Sequence, residues 1–349
     1  MTVSPNLSDF KVVRLTAPIF HTTVVEMAAF AERGLSVTVV DAEDPDAIIP
    51  HVADADIVTL IGTKLPTKVV EAMPRCRAIA RMGAGTDKIA VDRATELGIV
   101  VANTPYFCVE EQADHAMAML LSLARCLTQA QNGMAEGDLV RARRGVSNSQ
   151  RISTTTLGLV GFGRSAVHMA RRARGFGMRV LATRRNRNAP TDEADALGVE
   201  MTDLETLLRE SDFVSLHLPL SSATHHLFDA AMLAKMKPTA FLINTSRGGL
   251  TDEDALADAI RSGRLAGAGI DTYEAIDIFV DAIPPRLHPL TRLENVILTP
   301  HVAAGSVQAA VDIRLTAIDN IVEILSGYWP LEENIVNPGV TPRVSLKKR

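Results

Sequence analysis

The sequence predicts an α/β protein built from two doubly wound parallel-sheet domains, and three observations carry that reading. The chain has 349 residues, more than one ordinary core accommodates and suited to two domains of about 100–200 residues each. Short apolar runs alternate with helix-like stretches from Lys11 to Ala102, and a second such series starts at Leu157. Strand–helix alternation at this spacing implies right-handed crossovers and a parallel sheet covered on both faces.

Taken in order, Lys11–Leu15, Ser36–Val40, Asp56–Leu60, Ala78–Arg81 and Ile99–Ala102 read as strands, with helical patterns such as His21–Arg33 and Val91–Leu97 between them. Asn103-Thr104-Pro105 breaks the series, because proline resists continuation of a helix. A long amphipathic helix is expected over Val109–Ala130, followed by an arginine-rich loop over Arg141–Thr156. The second series has strands at Leu157–Val160, Arg179–Thr183, Phe213–Leu216, Ala240–Asn244, Ala268–Asp271 and Val296–Leu298. One more helix, Ser306–Leu325, has no strands after it and packs most economically on the first domain. The expected division is therefore residues 1–104 plus 302–349 for one domain and residues 105–301 for the other, with a cleft between them.

Composition narrows the function. Apolar residues make up 47% and charged residues 22% of the chain, which is globular and not disordered. A formal net charge of −5 gives no general attraction to nucleic acid or an anionic membrane. Cys76, Cys108 and Cys126 form no CxxC pair, which points to a reducing compartment and away from a disulfide frame or a zinc site. Neither a leader-like start nor an apolar run of the roughly 18 residues that span a bilayer is present, so the expected location is the cytoplasm. No HExxH or similar ligand spacing occurs, and no metal is expected.

The strongest local signal is Leu157-Gly158-Leu159-Val160-Gly161-Phe162-Gly163-Arg164-Ser165-Ala166. An apolar strand runs into Gly161-x-Gly163-x-x-Ala166 and a helix follows. The first glycine permits a tight turn, the second lets a pyrophosphate approach the backbone, and alanine keeps the third position small for helix–strand contact. The helix start then offers N–H groups and a positive dipole end to phosphates. An ordinary glycine-rich turn is the alternative, but the legible strand and helix on either side favour dinucleotide binding. At the end of the next strand an NAD site usually carries Asp or Glu for the ribose 2′-OH. Here the run is Thr183-Arg184-Arg185. Two guanidinium groups and a hydroxyl there can grip a 2′-phosphate, so NADP is expected over NAD.

Further phrases fit together: Asp212-Phe213-Val214-Ser215-Leu216-His217-Leu218-Pro219, Asn244-Thr245-Ser246-Arg247-Gly248-Gly249, Gly267-Ala268-Gly269-Ile270-Asp271 and Leu298-Thr299-Pro300-His301, with Arg81-Met82-Gly83-Ala84-Gly85-Thr86-Asp87 earlier in the chain. In order and spacing they closely resemble the D-2-hydroxyacid dehydrogenase family. That family includes phosphoglycerate, glyoxylate and hydroxypyruvate, formate and phosphite dehydrogenases and the C-terminal-binding-protein corepressors. The resemblance implies a Rossmann cofactor domain inserted in a discontinuous flavodoxin-like substrate domain, and a homodimer. It sets Arg247 as the substrate anchor, a guanidinium that forks onto a carboxylate and a neighbouring carbonyl oxygen. His301 matches the acid/base, since imidazole exchanges a proton near neutrality. Ala84 and Gly85 match a turn whose backbone N–H groups face the substrate carboxylate. Asp271 matches an aspartate near the nicotinamide carboxamide, and His217, Pro219, Thr224, Thr245, Ser246 and Gly305 match cofactor-lining positions. Taken by itself His217 reads as structural, as do His115, His225 and His226.

The sequence also departs from the family. Most members carry a glutamate five residues after the aspartate matched by Asp271, where it orients the catalytic histidine and favours imidazolium. Ile276 stands there, and the stretch to His301 is longer than usual. Three readings follow, in this order: Asp277 pairs with His301, Glu274 does, or no carboxylate does. The expected activity is hydride transfer between a nicotinamide cofactor and a small 2-hydroxy or 2-keto acid. The alternatives are a cofactor-sensing binding protein like the corepressors and a dehydrogenase of another small anion such as phosphite.

Overall fold

The computed structural model describes residues 6–17, 20–146, 149–186, 188–274, 276 and 288–348. Two compact units make up the chain, Met1–Phe107 with Ser306–Arg349, and Cys108–Gly305.

The first unit places β1 (Val12–Thr16), α1 (Val24–Glu32), β2 (Val37–Asp41), α2 (Pro45–Val52), β3 (Ile57–Leu60), α3 (Thr67–Glu71), β4 (Ala78–Arg81), α4 (Val91–Glu96) and β5 (Val100–Ala102) before the crossover. The strands form a sheet in the order β2-β1-β3-β4-β5, parallel throughout. Successive side chains on a strand face opposite ways, so Val13, Leu15, Val58, Leu60 and Ile79 pack with Ile48, Val69 and Val70 on one face. Val12, Ile57, Ala78 and Ala80 pack with Phe30, Ile313, Ala317 and Ile321 on the other. Burial on both faces is why these strands read as continuous apolar runs. The exception is Arg14 in β1. Its Nε lies 2.7 Å from Glu26 of α1, and the other Glu26 oxygen lies 3.2 Å from Arg314. A buried charge needs such partners, and these pull α1 and the helix Val307–Leu325 onto the same strand.

The second unit runs α5 (Val109–Ala124), α6 (Leu127–Ala135), α7 (Leu139–Arg144), β6 (Thr156–Val160), α8 (Arg164–Gly175), β7 (Arg179–Thr183), α9 (Asp192–Ala196), β8 (Glu200–Met201), α10 (Leu204–Glu210), β9 (Phe213–Leu216), α11 (Ala230–Leu233), β10 (Phe241–Asn244), α12 (Glu253–Arg261), β11 (Gly267–Ile270) and β12 (Val296–Leu298). Its sheet has the order β12-β11-β10-β9-β6-β7-β8, again all parallel. Two doubly wound parallel sheets are the predicted fold class. The order reverses at β6 and β9, the switch point where open α/β sheets bind ligands beyond their strand ends.

Three elements differ from expectation. The helix expected over Val109–Ala130 is two helices, because Cys126 takes a left-handed φ of +53°. Part of the stretch expected to be a loop is α7, whose first turn is capped by the Asp138 carboxylate accepting the Arg141 N–H at 2.8 Å. Leu139 and Val140 are exposed on α7, so no buried stripe marked it as a helix. The two-residue β8 at the sheet edge is too short to leave a pattern. No helix among the described residues is long and apolar enough to cross a membrane.

Candidate active site

A parallel sheet delivers every strand's C-terminal end to one edge. In the second unit that edge carries, in spatial order, the loops ending in His301 (β12), Asp271 (β11), Arg247 (β10), His217 (β9), Gly161 (β6) and Arg184 (β7). Residues up to 140 positions apart are thereby gathered at strand spacings of about 5 Å.

At the switch point Gly161 has φ +95°, and a Cβ there would sit 2.3 Å from the His217 carbonyl oxygen. Only glycine satisfies both conditions. Gly163 caps α8 without any side-chain bond, and nothing lies within 4 Å of where its Cβ would be. No side chain caps the start of α8, and there is room beside Gly163 for a ligand to approach the main chain, as an anion site requires. Ala166 is fully buried in the helix–sheet contact. Phe162 packs on the same cluster, and Arg164 is exposed at the helix start. These residues fit the pyrophosphate of a dinucleotide. Ser165 joins the wall through a 3.1 Å contact to His217 Nδ1, whose Nε2 lies 3.0 Å from Ser215. Burial holds His217 down at about 4. Its ring is neutral and occupied by two serines, so it fastens α8 to β9 as a structural histidine does.

The β10 turn is wired internally. Asn244 accepts the Ser246 N–H at 3.0 Å and donates to the Arg247 carbonyl at 2.8 Å, while Ser246 Oγ donates to the Leu216 carbonyl at 2.7 Å. Arg247 Nη1 donates to the Ser246 carbonyl at 2.7 Å. Gln112 of α5 donates to the Thr245 carbonyl at 2.9 Å, and the buried Thr245 hydroxyl has no partner among the described residues. Gly248 packs so tightly on the Tyr273–Glu274 backbone that a Cβ would lie 1.9 Å from the Tyr273 carbonyl carbon.

The β12 turn is held by Asp271. Asp271 is fully buried; Oδ1 accepts the Thr299 hydroxyl at 2.5 Å and the Val302 N–H at 2.9 Å, and Oδ2 accepts the Ala303 N–H at 3.0 Å. The His301 N–H donates to the Asp271 carbonyl at 2.8 Å. His301 itself has φ +53°, a conformation that costs a non-glycine residue about 1–2 kcal/mol. The surrounding bonds sustain it.

Against this geometry the comparisons with known proteins are specific. Residues 117–303 match the family described as D-isomer specific 2-hydroxyacid dehydrogenase, NAD binding domain. The chain is 40% identical to a glyoxylate reductase of Korarchaeum cryptofilum over 295 residues, covering 84% of this chain and 86% of that one. A solved D-lactate dehydrogenase from Aquifex aeolicus, complexed with NAD and lactic acid, superposes with a TM-score of 0.82 at 26% identity over 93% of this chain and 98% of that one. An acyclic imino acid reductase in complex with NADPH and D-arginine gives 0.81 at 26% identity over 93% and 99%.

The chain belongs to the D-isomer specific 2-hydroxyacid dehydrogenases. It is an NAD(P)-dependent oxidoreductase that acts on the CH–OH group of a 2-hydroxy acid.

In this dehydrogenase the carboxylate question at Ile276 is narrowed. Ile276 is half-buried where the family's glutamate is expected. Glu274 is taken elsewhere: its two oxygens lie 2.6 Å from His225 Nε2 and 2.6 Å from His226 Nε2. The two rings stack at 4.0 Å, and His226 takes a left-handed φ of +49°. Burial works against the charged form of Glu274, but the bonds from His226 and His225 hold its carboxyl below the usual range. These three residues also bring potential metal-ligand atoms within 4.8 Å. Each ring nitrogen lies against a separate oxygen of the Glu274 carboxylate. Asp277 lies outside the described residues.

The remaining expected positions are distributed as follows. Thr183 is buried at the end of β7; Arg184 Nη2 donates to the Pro190 carbonyl at 2.9 Å and also to that of Ala189, while Arg185 is exposed. Pro219 is exposed, and its carbonyl accepts the Thr224 hydroxyl at 2.8 Å. Gly305 is exposed, with its N–H on the Val302 carbonyl at 2.9 Å. In the first unit, Ala84 is exposed and its carbonyl accepts the Asn103 amide at 2.7 Å; Gly85 follows it, half-buried. Thr104 Oγ1 accepts the Gly83 N–H at 2.7 Å. Asn103 and Thr104 read as a chain break in the sequence; their side chains fasten the Gly83 turn. Gln112 and His115 of α5 also reach the site loops, at the Thr245 carbonyl and the Thr299 hydroxyl; in the sequence His115 reads as structural and Gln112 is not singled out.

Proposed function

We propose that this dehydrogenase works as an NADPH-dependent reductase of small 2-keto acids, glyoxylate or hydroxypyruvate among them. The reading is carried by the sheet edge at which the Arg247 turn, the Asp271-held His301 turn and the Gly161 loop stand in line. Gly161, Gly163, Ser165 and the α8 N-terminus hold the pyrophosphate, and Thr245, Ser246, Pro219, Thr224 and Gly305 line the remainder of the dinucleotide. When bound, the cofactor supplies the hydride. Arg247 fixes the keto acid by forking its guanidinium onto carboxylate and carbonyl oxygen. Ala84 and Gly85 offer main-chain N–H groups to the substrate carboxylate. His301 gives its proton to the carbonyl oxygen during reduction and takes it back from the hydroxyl in the reverse direction. With Glu274 engaged by two histidines, Asp277 is the carboxylate proposed to favour imidazolium at His301.

The preference for NADP rests on Thr183-Arg184-Arg185, which ends β7 without a carboxylate to repel a 2′-phosphate. A panel of 2-keto acids assayed with NADPH and with NADH tests both parts. Turnover of glyoxylate or hydroxypyruvate with higher kcat/KM for NADPH is expected; activity confined to NADH overturns the cofactor choice, and no keto-acid turnover overturns the activity.

We further propose a cytoplasmic homodimer. Leu127 and Met134 of α6 and Leu139 and Val140 of α7 are exposed apolar side chains on neighbouring helices, the kind of surface a two-fold contact covers. Light scattering of the parent and of Val140→Glu tests it: a dimer converted to monomer is expected, and a monomeric parent protein overturns it.

A further inference from the structure

Helix α5 packs on β10, β11 and β12, the three strands that end in the Arg247, Asp271 and His301 loops. Most of its packed face is apolar, with Ala113, Ala116, Met119 and Leu120 buried. Gln112 and His115 interrupt that pattern three residues apart, so they share a face.

Their contacts reach both turns. Gln112 Nε2 donates to the Thr245 carbonyl at 2.9 Å, two residues before Arg247. His115 Nε2 lies 2.9 Å from Thr299 Oγ1, two residues before His301. The Thr299 hydroxyl has one proton. At 2.5 Å from Asp271 Oδ1 it donates there, since an ionised carboxylate only accepts. It must then accept from His115, which sets that ring as the Nε2–H tautomer. The result is a directed chain, His115 N–H to Thr299 O–H to Asp271, ending on the carboxylate that also receives the Val302 and Ala303 N–H groups. His115 Nε2 lies 3.6 Å from Asp271 Oδ1, close enough to add directly to the field on that buried charge.

We propose that Gln112 and His115 are positioning residues for hydride transfer, with one face of α5 fixing the substrate anchor through Thr245 and the acid/base through Thr299 and Asp271. The inference rests on the reading of Arg247 and His301 given above. Its physical basis is that a carbonyl held at one point and a carboxylate held at another leave neither turn free to shift along the sheet edge. Displacement of a reacting group by about an ångström can cost a hundredfold in rate. The two residues act on different steps: Gln112 governs where the carboxylate is held, and His115 governs where the proton is delivered.

The experiment compares the full-length parent with Gln112→Ala, His115→Phe, His115→Gln, Arg247→Ala and His301→Asn. Steady-state constants for glyoxylate and the dissociation constant of NADPH are measured for each. Gln112→Ala is expected to raise KM for glyoxylate about tenfold with kcat within about twofold, and His115→Phe to lower kcat about tenfold with KM within about twofold. His115→Gln, whose amide places an N–H near the lost Nε2–H, is expected to restore most of kcat. NADPH affinity should stay at the parental value in both His115 variants. Should His115→Phe fail to fold, His115→Asn, too short to reach Thr299, takes its place. Parental constants in Gln112→Ala and His115→Phe overturn the proposal. So does an equal loss in kcat and KM that His115→Gln does not rescue. Parental turnover in Arg247→Ala or His301→Asn instead sinks the assignment of anchor or acid/base, and the positioning roles with it.

Discussion

Asp271 accepts the His301 N–H on its main-chain carbonyl at 2.8 Å, while its carboxylate closes over the next two N–H groups of the same turn. A buried charge thus holds a histidine backbone in the left-handed region. An amide in place of that carboxylate would lose one acceptor oxygen and turn donor hydrogens toward an N–H group. Asp271→Asn is expected to lower stability by about 2–3 kcal/mol and kcat at least about tenfold. Urea unfolding and steady-state kinetics on the variant check both. A variant with parental stability and turnover would contradict the role given to this carboxylate.

Arg247 and His301 should fail differently. Arg247→Lys keeps the charge and loses the fork, so a rise in KM for the keto acid of about a hundredfold is expected. His301→Asn loses the proton and should lower kcat by about 10²–10⁴. Neither should change NADPH affinity, which fluorescence titration reads directly.

The two arginines after β7 are unequal. Arg184 Nη2 is bonded to the Pro190 carbonyl at 2.9 Å and to that of Ala189, shaping its own loop, whereas Arg185 is exposed. Arg185→Ala is therefore expected to raise KM for NADPH about tenfold and to leave NADH unchanged. Equal effects on both cofactors would show that the 2′-phosphate is held elsewhere.

Two histidines give opposite pH dependence. Burial lowers His217 to about 4, below the unfolded value of about 6.5. Above that value both states are neutral and His217 adds no pH dependence. As pH falls from about 6.5 to 4 the unfolded chain takes up a proton the native ring refuses, and about 3 kcal/mol of stability is lost. His226 is raised by its bond to Glu274, so its contribution is full below the unfolded value and disappears as pH rises through the folded one. Imidazole NMR titration should show His226 titrating well above His217; a His217 signal that titrates above pH 6 would refute the first statement.

Gly161→Ala should abolish cofactor binding. The methyl group would meet the His217 carbonyl oxygen at 2.3 Å in a backbone of φ +95°. Moving β9 away would open the switch point, so loss of NADPH binding together with a lowered Tm is expected. Retained affinity would mean that the phosphate loop lies elsewhere.

Much of this was legible beforehand because the information is local. Arg179–Thr183, Phe213–Leu216 and Val296–Leu298 are strands in the structure as they are in the apolar pattern, since a strand covered on both faces must be apolar along its length. Gly161 is visible in the sequence through the Gly161-x-Gly163-x-x-Ala166 phrase between an apolar strand and a helix; the φ of +95° and the close His217 carbonyl are the structural reason that no other residue fits. The sequence order of Asn244, Arg247, Asp271 and His301 carried the family. The helix break at Cys126 and the helix Leu139–Arg144 were hidden: a single left-handed residue leaves no periodicity, and exposed apolar side chains mimic no buried stripe.

By itself, then, the chain determined which strands exist, where a dinucleotide's phosphates can approach, and which guanidinium and imidazole are available for a 2-hydroxy acid. Only the tertiary structure decided the partners. It gave Glu274 to His225 and His226, locked the ring of His217 between two serines, and tied the Arg247 and His301 turns to Gln112 and His115. Hydrogen bonds between residues 49, 133 or 184 positions apart depend on where a parallel sheet delivers its strand ends, and no local pattern encodes that distance.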